Sequence, residues 1–106
     1  MPLFIAVGFD HPPHSMALRE KLRDQHRRYV LERADPIRFA GPTVDGAGNQ
    51  SGTLYIFEAE AIETVQAWLA AEPFVANGVY AAMEVRPWRL AYNQFDRVAW
   101  PGLRQS

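Results

Sequence analysis

The order in which the hydrophobic period changes along this chain leaves few folds open to it. Leu3 to Phe9 is a short, nearly continuous apolar run bounded by Asp10 and Pro12-Pro13, which predicts a strand covered on both faces. From Ser15 the pattern turns helical, with Leu18, Leu22, Gln25 and Tyr29 on one face. Ser15 is the predicted N-cap, its hydroxyl accepting from a free N–H of the first turn. Asp35-Pro36 closes the helix, because a residue before proline avoids the α region. Ile37 to Phe39 is extended and is expected to break at Gly41-Pro42. Asp45 to Gly52 is a turn-forming cluster that reads as a hairpin tip, and Thr53 to Glu58 is rich in strand formers. A second helix, from about Ala61 to Ala71, carries Ile62, Val65, Trp68 and Leu69 on its apolar face and stops at Pro73. After Asn77-Gly78 the alternation of Val79, Ala81, Met83 and Val85 with polar or small residues predicts a last strand ending at Pro87-Trp88.

The order is βαββαβ. It predicts an α+β, ferredoxin-like domain over residues 1–90, an antiparallel sheet with both helices on one face. The other face is left bare, and a second copy of the chain is the expected cover, making a homodimer. Residues 91–106 contain Tyr92, Phe95, Val98, Trp100 and Leu103, too apolar for a disordered tail. They are expected to pack on the body or on the partner subunit.

Composition removes several functions. Eleven Lys plus Arg against twelve Asp plus Glu give a formal charge of −1, which argues against a nucleic-acid partner. With no cysteine there is no disulfide framework, thiolate metal site or cysteine nucleophile. No apolar run approaches the ~20 residues that span a bilayer, so no membrane partner is expected. No signal peptide is visible at the N-terminus, and a cytoplasmic location is the expectation.

The first helix carries the chemistry-bearing stripe. Arg19, Arg23 and His26 fall within a sector of roughly 60° beside the apolar face. A histidine at that boundary can exchange protons near neutral pH, and two arginines beside it favour an anionic ligand. The competing reading is a solvated basic face, since Arg27, Arg28 and Arg33 lie on the same helix. His11 and His14, with Asp10 nearby, give no third metal ligand at suitable spacing, so a solvated loop is expected there and no metal. Tyr80, Trp88, Tyr92 and Trp100 read as core or interface residues.

A longer set of residues resembles the YciI family (YCII-related domain). It comprises Asp10, Arg19-x-x-x-Arg23-x-x-His26-x-x-Tyr29-Val30, Ala40-Gly41-Pro42, Gly52-Thr53 before a strand, and Glu58-Ala59. Glu72-Pro73-Phe74, Asn77-Gly78-Val79-Tyr80 and Val85-Arg86-Pro87-Trp88 continue it, so the similarity runs from about residue 3 to 88. The resemblance implies a dimeric α+β barrel whose pocket holds a histidine and an acid, which map to His26 and position 72. The acid is Glu72 here where the family has aspartate, and Thr53 stands where serine is usual. It implies catalytic roles for His26 and Glu72 in acid–base chemistry, with no cofactor and a small-molecule substrate. Relatives with this barrel, such as muconolactone isomerases, work by proton transfer. Arg19 or Arg23 would hold an anionic group, Thr53 would add a hydrogen bond, and Asp10 would line the pocket mouth or cap the first helix. Without the resemblance, Glu72 simply ends a helix before Pro73.

Two functions compete. One is a small enzyme of isomerisation, lactone opening or elimination on a small carbonyl or aromatic compound. The other is a non-catalytic dimeric module that binds a small molecule or a protein, since this fold hosts unrelated functions.

Overall fold

The computed structural model describes residues 1–12 and 14–95. Its elements run β1 (Leu3–Asp10), α1 (Met16–Glu32), β2 (Ile37–Val44), β3 (Gln50–Glu58), α2 (Ile62–Ala71), α3 (Pro73–Ala76) and β4 (Tyr80–Trp88). The four strands form one antiparallel sheet in the order β2-β3-β1-β4. This is the expected α+β, ferredoxin-like arrangement. Among the described residues no helix is long and apolar enough to cross a membrane.

Strand register decides which residues meet the helices. Phe4 pairs with Phe57, Ala6 with Tyr55 and Gly8 with Thr53, so alternate residues of β1 and β3 share one face. Phe4, Ala6, Tyr55 and Phe57 are buried there against Val65 and Leu69 of α2. A second buried cluster, Leu22, Phe74, Val79 and Tyr80, joins α1, α3 and the start of β4. The opposite face is only partly covered, contrary to the reading of β1 as buried on both sides. Phe9 is 58% exposed and Phe39 49%. Along this face residues 90–95 lie near the sheet, with the Phe95 ring stacked on Phe39 at 5.5 Å. Val98, Trp100 and Leu103 lie outside the described residues.

Three local expectations need correction, and one is extended. The second strand does not break at Gly41-Pro42, which pair with Leu54 and Thr53. Proline is tolerated because β2 is an edge strand, where a missing N–H costs no ladder bond. β3 begins at Gln50, so the hairpin tip is shorter than the polar cluster. There Asp45 accepts from the N–H groups of Ala47 and Asn49, both at 2.9 Å, and Gly48 takes φ +85°. Ser15 occupies the N-cap position, but its hydroxyl donates to the Val79 carbonyl at 2.8 Å instead of accepting from the helix. Pro73 both ends α2 and opens α3, as its fixed φ suits a first helical position.

α1 is held at both ends. The Tyr29 hydroxyl donates to the Trp68 carbonyl at 2.6 Å, and the Trp68 indole N–H donates to the Arg33 carbonyl at 2.8 Å. The Trp68 ring also stands edge-on to Tyr29, Tyr55 and Phe57. At the other end, the Asp10 carboxylate accepts from the Ser15 N–H at 3.1 Å.

At Gly52 the sheet leaves no room for a side chain. A Cβ there would stand 2.5 Å from the Gly8 carbonyl oxygen and 2.7 Å from Thr43 Oγ1, whereas one at Gly41 would meet nothing within 4 Å. Gly52→Ala should therefore destabilise the fold by about 1–3 kcal/mol, as overpacking does. Gly41→Ala should change it by less than about 0.5 kcal/mol. Urea unfolding midpoints of the two variants check this, and equal midpoints would contradict the close approach.

Candidate functional site

The buried stripe of α1 is not the one that hydrophobicity alone selects. Gln25 is exposed, while Arg19 is 2% exposed and His26 is half-buried. Arg27, Arg28 and Arg33 face solvent, so the basic helix face is only in part a solvated one.

Arg19 is buried because each of its demands is met. Nε donates to Asp10 Oδ2 and Nη2 to Asp10 Oδ1, both at 2.8 Å, a bidentate pair. Nη2 also donates to the Gly52 carbonyl at 3.0 Å and Nη1 to Gln50 Oε1 at 3.4 Å. The guanidinium carbon stands 5.4 Å from the ring centroids of both Phe74 and Tyr80. Burial works against the charge of Arg19, but its bond to Asp10, the charge of Asp10 and the Tyr80 hydroxyl outweigh it and raise its pKa. Asp10 thus both receives the start of α1 and neutralises Arg19.

His26 and Glu72 lie 46 residues apart and are hydrogen-bonded through Nδ1 and Oε1. The Glu72 side chain has no exposed surface, and that of His26 is 22% exposed. Glu72 caps α3, accepting from the N–H of Phe74 through Oε1 and of Val75 through Oε2, each at 3.1 Å. A carboxylate offers only acceptors, and this one faces Nδ1, so it fixes the imidazole proton on Nδ1. Nε2 is then the nitrogen with a free lone pair. The His26 ring is stacked on Phe74, with centroids 3.9 Å apart and planes at 4°.

Of the other expected site residues, Thr53 lies on β3 and Arg23 on α1. Thr53 is buried on β3, its hydroxyl donating to the Gly41 carbonyl at 3.5 Å. Burial pushes the Tyr80 hydroxyl up to about 12, with Arg19 and Thr53 opposing, so it is a neutral phenol at neutral pH. Tyr55 is pushed up by burial in the same way. Arg23 lies one turn from both Arg19 and His26, half-buried, and among the described residues it has no hydrogen-bond or ion-pair partner. His14 is exposed, and among the described residues no group of three His, Cys, Asp or Glu side chains is placed to hold a metal ion.

Sequence reasoning gave no role to Phe74 and none at the site to Tyr80. Phe74 had a signal, being two residues after an acid that precedes proline, which is the pattern of a capped short helix. Tyr80 had none, since contact with Arg19 depends on tertiary packing.

A family profile described as YCII-related domain matches residues 3–89. Protein YciI of Escherichia coli O6:H1 is 34% identical over 80 residues, 76% of this chain and 79% of that protein. The solved structure of 5-chloro-2-hydroxyhydroquinone dehydrochlorinase from Burkholderia phenoliruptrix AC1100, in complex with 2,5-dihydroxybenzoquinone, is similar with a TM-score of 0.75 at 29% identity. That match covers 84% of this chain and 95% of the other. A crystal structure of an antibiotic biosynthesis monooxygenase has a TM-score of 0.52 at 16% identity, covering 87% of this chain and all (100%) of that one, which is a likeness of fold. The architecture is that of the dimeric α+β barrel proteins.

Arg19→Met should cost on the order of 3–5 kcal/mol, because it leaves Asp10 buried without its counter-charge. Adding Asp10→Asn to it should recover part of that loss. Urea unfolding of the single and double variants checks the ordering, and a double variant no more stable than the single would contradict it.

Proposed function

Because the chain belongs to the YCII-related domain family, we propose that it is a small enzyme of acid–base chemistry acting through His26 and Glu72. The observation that carries this is the wholly buried Glu72 carboxylate on Nδ1 of a half-buried imidazole. A carboxylate in that position sets the tautomer, leaves Nε2 to take a proton and lies against the imidazolium that then forms.

The substrate class is a small carbonyl or hydroxylated aromatic compound, and the reaction an elimination or isomerisation. In elimination, Nε2 removes a proton from the substrate, the released electron pair forms a new double bond, and the leaving group departs with its bonding pair. The products are the unsaturated compound, the leaving anion and a proton on His26 that passes to solvent. The dehydrochlorinase structure, solved with a dihydroxybenzoquinone, supports this reading through its 29% identity and shared fold. In isomerisation the same proton returns to another carbon. Arg23, without a partner among the described residues, is the residue for an ionised substrate oxygen, by charge-assisted hydrogen bonds. Arg19 and Asp10 serve the site from behind, since their polar atoms are engaged with one another and with the fold. Thr53 supplies a hydroxyl on the adjoining strand. Glutamate in place of the family's aspartate suits the same work, because its longer side chain spans both the α3 cap and His26.

We also propose that the working unit is a homodimer joined through the open sheet face, supported by the exposure of Phe9 and Phe39 there. Static light scattering should give twice the chain mass, and Phe9→Glu should halve it. A monomeric native chain would reject this pairing.

The test of function is halide release from chlorinated hydroxyhydroquinones. His26→Gln should lower turnover on the order of a hundred- to ten-thousandfold, the range of general acid–base catalysis. Glu72→Gln should lower it less, and Arg23→Gln should act chiefly through KM. Turnover unchanged in His26→Gln would overturn the assignment. Binding of these compounds without turnover would favour the non-catalytic binding module instead.

A further inference from the structure

We infer that Phe74 is a positioning residue for His26, and that the Asp10–Arg19 pair holds Phe74 in place. The inference rests on the acid–base reading of His26. An imidazole held only through Nδ1 can swing about that hydrogen bond, and a swing carries Nε2 away from any fixed substrate atom. Glu72 therefore sets one point of the ring, while its plane needs a second constraint. Phe74 supplies it, lying parallel to the imidazole at 3.9 Å. The two constraints come from one cap, because the Phe74 N–H is itself a donor to Glu72 Oε1.

Phe74 is held in turn. The Arg19 guanidinium stands 5.4 Å from its centroid and from that of Tyr80, and the Tyr80 ring meets Phe74 edge-on at 6.4 Å. Arg19 cannot turn away, since Asp10, Gly52 and Gln50 take its donors. A chain of contacts thus runs from the end of β1 through Arg19 and Phe74 to the imidazole plane. It gives the buried ion pair a task that neither solvent nor ligand contact explains.

The experiment is nuclear magnetic resonance on the full-length chain labelled with nitrogen-15. It follows the downfield Nδ1–H proton of His26, assigned with His26→Gln, and its exchange with water. In the native chain this proton should be resolved and protected. In Phe74→Leu exchange should quicken about two- to tenfold, the range expected for loss of an aromatic stack. Phe74→Tyr should restore native exchange, and Arg19→Lys should give an intermediate rate. Phe74→Met, which also fills the volume without a flat ring, is the second variant should Phe74→Leu fail to fold. Thermal melting alongside separates global loosening from this local effect. Native exchange in a folded Phe74→Leu or Phe74→Met overturns the positioning role and leaves the acid–base reading standing. Native exchange in Arg19→Lys overturns the part given to the ion pair. No protected Nδ1–H in the native chain would overturn the acid–base reading itself.

Discussion

A carboxylate without exposed surface must find its donors inside the protein, and Glu72 organises the centre of this molecule by that requirement. Two donors come from backbone, which is possible only if the chain starts a new turn of helix directly after the carboxylate. Pro73 allows this, since it ends α2 and occupies the first position of α3 without wasting an N–H. The third donor is His26, brought across from α1. One buried charge therefore explains the break between α2 and α3, the short helix and the orientation of the histidine.

The structure holds a second buried carboxylate with a side-chain partner, and the two pairs differ in one respect. Asp10 and Arg19 are closed, with side chains only 1% and 3% exposed and a partner at each end. His26 and Glu72 are open on the histidine side, where 22% of the side chain reaches the surface. A closed pair gains its full electrostatic attraction and can exchange nothing with a ligand. An open pair keeps one nitrogen available for a proton. The Leu22, Phe74, Val79 and Tyr80 cluster lies between them, so an apolar contact separates the charges that shape the fold from those suited to chemistry.

Much of the fold was legible because it rests on local period and punctuation, as in the α1 stop before Pro36 and the turn at Asn77-Gly78. The misreadings share a cause: each turned on a partner distant in sequence or on a place in the sheet. Gln25 and Arg19 exchanged their expected burial because hydrophobicity cannot show that Arg19 finds Asp10. Pro42 looked like a strand end, and only the position of β2 at the sheet edge makes it harmless. Ser15 looked like a cap until Val79, 64 residues away, took its hydroxyl proton. At the site, helical spacing put Arg19, Arg23 and His26 on one stripe, but could not say which of the arginines would be consumed internally. Glu72 was legible only through resemblance, since an acid before proline is otherwise an ordinary helix end.

The two faces of the sheet divide the remaining work. Residues on the helix face that support the site, Asp10, Thr53 and the Gly52 carbonyl that receives Arg19, hang from β1 and β3, the two central strands. The apolar residues of those strands on the other face, such as Ile5, Phe9 and Leu54, are where the proposed second copy would pack. Covering them would stiffen the strands that carry Asp10 and Gly52 while leaving α1 and α3, and with them His26, on the outside of the assembly. Association would then steady the closed ion pair from beneath without closing the open one, so a dimer contact and a proton-transfer site can be served by opposite faces of the same two strands.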